Sequence, residues 1–455
     1  MSSYEDFTIR TAWIKAQRVS LSYLRRQLTM KREENSKTDE PIELAAYIGL
    51  DWADKQHAIS LRAAGSKKVE RLKLANKPEA IMEWITELRT RFKGAKVGIA
   101  LEQSKGSVIS ALMSHEFIVL YPVNPSTLAK YRAAFRPSGA KDDPSDADYL
   151  EELVELHRNK LTAWLPEDEE IRLLKMLTEG RRKFVDQKTK LTNQLIALLK
   201  QYYPQAIELA GDLDTVRGCA FLGKWTTLDD LKKAGSEDLT RFYEEQGFRG
   251  KDKIQERVQR VMRAVPLTTD RAIVEASAIF VKVIVGQLQP LIAMIHEIDR
   301  RIDEAFKKNP DREIFISFPG AGKVLAPRLS AVVGSDRDKF ESALELQSLS
   351  GIAPVTESSG DSLWVHKRWA CNHFVRQTFH EFAGRSLSQS RWARAFYSEL
   401  RKRGKAHHAA VRALAYKWIR IIYRCWKNKA PYSEEKYIES LKRRGSPLVA
   451  LLAVA

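Results

Sequence analysis

The chain has 455 residues, 44% hydrophobic and 29% charged, more than one ordinary core holds and enough for two or three globular domains. A net charge of +18 with a pI near 9.6 asks for an anionic partner, nucleic acid before a membrane surface. Three scattered cysteines, Cys219, Cys371 and Cys425, fit neither a disulfide framework nor a CxxC zinc site and read as free, reduced thiols.

The first thirty residues carry Glu5, Asp6 and Arg10 with no apolar stretch ahead of a small-residue cleavage site, so no secretion signal is expected. No apolar run is expected to reach the ~18 to 20 residues that span a bilayer, and a cytoplasmic, nucleoid-associated setting follows. Residues 1–43 read as a polar extension: a short helix over Ile9 to Leu28, then a linker of mixed charge from Lys31 to Glu40.

From residue 44 the pattern turns to strands. Ala45 to Leu50 is an apolar run, and His57 to Leu61 and Val69 to Leu74 alternate in part, which suggests an antiparallel meander. A helix is predicted over Pro78 to Phe92, an apolar strand over Lys96 to Leu101, a helix over Ser107 to Glu116 and another apolar strand over Phe117 to Val123. The order β-β-β-α-β-α-β, with the later strands apolar throughout as buried parallel strands are, is that of an RNase H-like domain over residues 44–165, though another α/β domain has the same pattern.

A helical arm is predicted over 166–310. Leu177, Phe184, Leu191 and Leu198 recur every seven residues, but Arg181 and Lys188 spoil the second seam position. Val281, Ile284, Leu288, Leu291, Ile295, Ile298 and Ile302 make a better heptad seam, which Pro290 should kink. Between the two helices, residues 205–270 read as irregular. The fold class expected is thus α/β plus all-α: an RNase H-like N-terminal domain, a coiled-coil arm that packs on itself or on a partner chain, and a mostly helical domain over 311–445 with a tail over 446–455. In the last 65 residues 16 Lys and Arg stand against 4 Asp and Glu, while Trp392, Trp418 and Trp426 at helical spacing read as core.

Three constellations carry chemistry. Asp51 ends the first strand and Glu102 the fourth, so in an RNase H-like sheet the two acids face each other at one edge. Asp143 and Asp146 follow with i,i+3 spacing on one face of a first helical turn. Four clustered carboxylates repel unless a cation neutralises them, and hard oxygen ligands suit Mg²⁺ or Mn²⁺. The alternative for Asp143 and Asp146 is a helix cap; Asp142 competes for the third position and Asp54 is a weaker neighbour of Asp51. Next, Gly320 and Gly322 form a Gly-x-Gly turn, followed by Lys323, whose backbone N–H groups could hold a DNA phosphate as in a helix-hairpin-helix motif. Last, Ser350 to Gly360 ends in Ser358-Ser359-Gly360, ahead of the basic and aromatic run Trp364-Val-His-Lys367-Arg368-Trp369. A serine before glycine is accessible and a basic neighbourhood would draw a phosphate to it, yet on these residues alone the segment is an ordinary loop.

Taken together, Gly49-Leu-Asp51, Leu101-Glu-Gln-Ser104, Pro137 to Ala147, Phe318-Pro-Gly-Ala-Gly322, Ser350-Gly-Ile-Ala-Pro354 with Ser359-Gly360, and Gly404-Lys405-Ala-His-His408 resemble the DEDD transposases of serine-dependent, bridge-RNA-guided insertion sequences, relatives of the Piv invertase. The likeness covers roughly residues 45 to 440. It implies a metal-binding tetrad of Asp51, Glu102, Asp143 and Asp146 in a RuvC-like domain and a nucleophilic serine at Ser359, with Ser358 the ambiguity. It further implies Mg²⁺ or Mn²⁺, a structured guide RNA that base-pairs with donor and target DNA and suits the basic C-terminal surface and coiled arm, nucleic-acid contacts from Lys367, Arg368 and Lys405, and dimers that pair into tetramers with acids of one subunit completing the serine site of another. A RuvC-like nuclease or junction resolvase would need the acids and no serine.

Overall fold

The computed structural model describes residues 42–102, 106–135, 143–164, 166–360 and 362–452, with Asp143 as backbone alone; the helix expected at Ile9 to Leu28 and its linker lie outside them. The chain divides into two compact units, the first ending at Pro166 and the second beginning at Glu167.

The first unit is mixed α/β. Strands β1 (Ala46–Asp51), β2 (Gln56–Ala63) and β3 (Val69–Ala75) form an antiparallel meander, and β4 (Val97–Leu101) and β5 (Ile118–Pro122) extend it in parallel beside β1, giving the order β3-β2-β1-β4-β5. Helices α1 (Pro78–Arg91) and α2 (Ser107–Leu112) supply the crossovers, as parallel neighbours require, and α3 (Pro125–Phe135) and α4 (Asp143–His157) follow β5. This arrangement is consistent with an RNase H-like domain. Alternation splits the sheet's side chains between two faces. Ile48, Leu50, Ile59, Leu61, Ile99 and Leu101 pack toward α1 and α2, while Ala100, Val119 and Tyr121 meet Leu150, Leu153 and Val154 of α4.

In the second unit, α5 (Glu169–Tyr202) pairs along its length with α11 (Arg271–Lys307). The seam on α11 is close to that expected, with Val281, Leu288, Leu291, Ile295 and Ile302 buried. On α5 it is displaced: Leu174, Thr178, Leu191, Leu195 and Leu199 are buried, while Leu177, Phe184 and Leu198 are only half-buried. Arg181 and Lys188 are accommodated because each finds a carboxylate, Asp299 and Asp214.

Two expectations need correction. Residues 205–270 are not irregular; they fold as α6 (Gln205–Leu209), α7 (Val216–Lys224), α8 (Leu228–Lys233), α9 (Gly235–Glu245) and α10 (Lys251–Arg263) around Phe221, Trp225, Phe242 and Tyr243. Thr215 and Thr227 cap α7 and α8 through their hydroxyls, and helices this short give too few turns for a period to show in sequence. Secondly, α11 contains an 18-residue window apolar enough, with its length, to cross a bilayer. Lys282, Gln287 and Gln289 conceal it in sequence, and its buried face packs on α5 and α7.

The remaining helices are α12 (Arg312–Ile316), α13 (Gly322–Val333), α14 (Ala343–Leu349), α15 (His373–Ser386), α16 (Arg391–Lys402), α17 (His407–Lys427), α18 (Glu434–Arg443) and α19 (Leu448–Leu452). Trp392, Trp418 and Trp426 are fully buried in their core with Phe318 and Phe382. Between α14 and α15 stands a two-stranded ribbon, β6 (Val355–Ser359) and β7 (Ser362–His366).

Candidate functional site

The acids of the first unit are positioned by register. Leu50 of β1 lies beside Leu101 of β4 in the parallel pair, so the next residues, Asp51 and Glu102, emerge side by side at the carboxyl edge of neighbouring strands. Alternation puts both on the α4 side, because Gly49 and Gly98 face that helix. A Cβ on Gly49 would lie 1.9 Å from the carbonyl oxygen of Ala147 and 2.5 Å from the amide nitrogen of Glu151. Only glycine lets the backbones of β1 and α4 touch, and this contact brings Asp146, the residue before Ala147, down to the strand that ends in Asp51. Asp51 and Asp146 are buried, Glu102 is half-buried, and Asp143 opens α4.

Asp146 is only 1% exposed, and the Arg132 guanidinium donates to both its oxygens at 2.7 Å. Sequence gave no signal for Arg132, since the contact exists only once α3 packs beside α4. Further along α4 the pattern repeats: Arg71 of β3 reaches Asp148 at 3.0 Å, and Arg62 of β2 holds Glu151 through two bonds of 3.0 and 3.1 Å. Burial pushes the Glu151 carboxyl up to about 6 despite the pull of Arg62; burial is also the largest influence on Arg62, but Glu151, Glu155 and Glu152 together outweigh it and raise its pKa. The helix thus presents its acids to the sheet, and the sheet answers with arginines.

Whether these residues suit a divalent cation turns on donor chemistry. Carboxylate oxygens at adjoining strand ends are the hard ligands that Mg²⁺ and Mn²⁺ take, and a guanidinium clamped on Asp146 marks a position that draws positive charge. Among the described residues no three His, Cys, Asp or Glu side chains already form an ion-ready group; the Asp143 side chain and Asp142 lie outside that description. The donor set fits, provided that Asp146 releases Arg132.

In the second unit the serine segment is a hairpin, not a plain loop. Ser359 pairs with Ser362, Ser358 with Leu363 and Glu357 with Trp364, across a turn in which Gly360 takes a φ of 54°. Successive residues of a strand point to opposite sides, so Ser358 and Ser359 face opposite ways, both exposed. Elsewhere, Gly320 packs its Cα against the backbone of Arg385 and donates its N–H to Gln389 Oε1 at 2.7 Å, which ties the turn before α13 to the end of α15. Gly322 begins α13 with open space around its Cα, and Lys323 beside it is exposed. Lys367 lies 4.7 Å from the Trp369 ring centre, Arg368 donates to the Ala353 carbonyl at 3.4 Å, and Lys405 is exposed ahead of α17. At the start of α17, His407 shares a 2.8 Å hydrogen bond with the Tyr397 hydroxyl, and His408 lies near His380, whose pKa is lowered by burial and then by His408.

Residues 48–204 match the DEDD transposase domain of IS110, and residues 312–398 match the transposases of the IS116/IS110/IS902 family. Over 403 residues the chain is 25% identical to a protein assigned as the mini-circle transposase for IS117 in Streptomyces coelicolor, a match covering 86% of this chain and 96% of that one. It is 24% identical to an uncharacterized 44.8 kDa protein of insertion element IS116 from Streptomyces clavuligerus, over 84% of this chain and 95% of the relative. An uncharacterized 42 kDa protein of IS900 from Mycobacterium paratuberculosis is likewise 24% identical, over 85% and 96%.

Proposed function

We propose, for a chain that belongs to the IS110/IS116/IS902 family of insertion-sequence transposases, that DNA is cleaved and rejoined by Ser359 together with a metal-holding tetrad of Asp51, Glu102, Asp143 and Asp146. A transposase cuts and rejoins DNA, and a DEDD domain suggests a divalent cation. The observation that carries the reading is the meeting of Asp51 and Glu102 at neighbouring strand ends, with Asp146 brought to the same strand through Gly49.

In this reading the four acids hold Mg²⁺ or Mn²⁺, which when bound would polarise the phosphate and ease departure of the leaving oxygen. Ser359 Oγ attacks the phosphorus, an Oγ–P bond forms, the P–O3′ bond breaks, and the hydroxyl proton ends on the released 3′ oxygen. Religation runs the same steps backwards with a different 3′-OH. The exposed hairpin presents Ser359 to a phosphate without burying the attacking oxygen, and Lys367 and Arg368 supply positive charge along the same segment. A structured guide RNA chooses the DNA by base pairing, while the basic surface, Gly320, Gly322, Lys323 and Lys405 included, binds nucleic-acid backbone. Dimers pair into tetramers in the cytoplasm, and the acids of one subunit serve the serine of another.

The test is an assay for covalent protein–DNA adducts. Ser359→Ala should abolish adducts and strand cleavage while binding stays intact, since losing an exposed hydroxyl usually costs within about 0.5 kcal/mol of stability. Asp146→Asn should abolish processing as well, and Ser358→Ala, on the opposite side of the ribbon, should remain active. Adducts from Ser359→Ala with none from Ser358→Ala would move the nucleophile by one residue. Adducts from both would end the serine mechanism.

A further inference from the structure

Every residue of β7 is exposed, and Trp364 within it is 71% exposed, an unusual position for so large an apolar side chain. The ribbon's register decides which residues accompany it. Opposed residues of an antiparallel pair lie on one face, so Trp364, opposite Glu357, shares its face with Ser359, opposite Ser362. Leu363 and Val365 occupy the other face with Ser358 and Thr356. Trp364 and Ser359 are diagonal neighbours, a separation of roughly 7 Å between such positions, which is the scale on which a nucleotide's base is offset from its backbone phosphate.

We propose that Trp364 is a positioning residue that stacks on an unpaired DNA base and thereby sets the adjoining phosphate against Ser359. The proposal rests on Ser359 being the nucleophile. An indole needs a π-face to stack on, and bases within a duplex have theirs covered, so the occupant is a base outside the duplex stack. Charge favours DNA over a protein surface: Lys367 and Arg368 follow directly, and the carboxylate on this face, Glu357, has the His366 imidazole 3.5 Å away. Trp369, 72% exposed beneath the Lys367 ammonium, offers a second ring of the same kind. Stacking is indifferent to base identity, so Trp364 would position DNA without reading its sequence, leaving that to other contacts.

The experiment uses the full-length protein and a single-stranded oligonucleotide carrying one 2-aminopurine, with the matching duplex as comparison. Wild type should alter the 2-aminopurine fluorescence on binding the single strand. Trp364→Ala should lose that change and bind the single strand about tenfold more weakly, whereas Trp364→Phe should recover most of both. All three proteins should bind the duplex within about twofold of one another, with equal circular dichroism. Unchanged single-strand affinity in Trp364→Ala, or an equal loss on duplex and single strand, overturns the proposal. So does a fall in sedimentation coefficient for Trp364→Ala with DNA binding intact, which would make the face a contact between copies. Ser359→Ala should keep the fluorescence signal; adducts formed by that variant would overturn the nucleophile assignment, and the phosphate's placement with it, separately from any result at Trp364.

Discussion

At the scale of single residues, the acids along α4 differ by what neutralises them. Asp146 and Glu151 are equally buried and each is held by an arginine through both oxygens, Arg132 from α3 and Arg62 from β2; burial pushes the Glu151 carboxyl up to about 6 from an ordinary 4.5. Between those two values the folded protein keeps a proton that the unfolded chain has already lost. The folded state therefore binds more protons there, and stability falls as the pH rises through that window. The size is about 1.5 pH units, or about 2 kcal/mol. Glu151→Gln removes this group, so urea titrations at pH 4.5 and 6.5, which span most of that window, should show wild type losing about 1.5 kcal/mol more than the variant on going to the higher pH. Parallel behaviour of the two proteins would mean that Arg62 compensates fully for burial. Asp51 and Glu102 could be picked out beforehand because each ends an apolar run. Arg132 could not, for nothing in its local sequence encodes the helix that it meets.

At the scale of elements, the docking of α4 on β1 is what brings Asp146 to the strand that ends in Asp51, beside Glu102. Gly49→Ala tests it directly. The added methyl would meet backbone atoms of α4 at 1.9 and 2.5 Å, and backbone cannot rotate aside as a long side chain does. The helix must lift, at a cost of about 1–3 kcal/mol typical of overpacking, and Asp146 must move with it. Chemical denaturation should show that loss, and Mn²⁺ binding measured by calorimetry should weaken in the same variant. Stability within 0.5 kcal/mol of wild type would show that β1 and α4 have room to spare. The strands of this sheet were legible because each is a short apolar or alternating run bounded by polar turns. Helices α6 and α8 were not, since 5 and 6 residues span too few turns for periodicity to emerge, whereas in α10 the helical spacing of Ile254, Val258 and Val261 was a signal already present. The α5 seam was displaced for another reason: partners outside the helix, Asp299 and Asp214, satisfy the cations that spoil its heptads. Most consequential was the hairpin. Ser358 and Ser359 are neighbours of equal chemistry in sequence, and only strand pairing sends them to opposite faces.

At the scale of the whole molecule, the acids belong to one compact unit and the serine to the other. If acids of one subunit complete the serine site of another, the two inactivating substitutions need not act on the same site. In an assembly mixed from Asp146→Asn and Ser359→Ala chains, some sites draw the serine from the first chain and the acids from the second, and those sites are whole. Others combine both defects and are dead. Adduct formation should therefore return when the two inactive proteins are mixed and allowed to exchange subunits, to a fraction of the wild-type level set by the share of whole sites. Each protein alone should stay inactive, as should a mixture in which one partner carries both substitutions, because that pairing can never supply both halves. If each chain instead closed its own site, every site in the mixture would lack either an acid or the serine, and mixing would restore nothing. Labelling the two chains with tags of different mass makes the outcome specific: the covalent DNA should be found only on the Asp146→Asn chain, the one that retains Ser359. DNA attached to the Ser359→Ala chain would contradict both the shared site and the identity of the nucleophile.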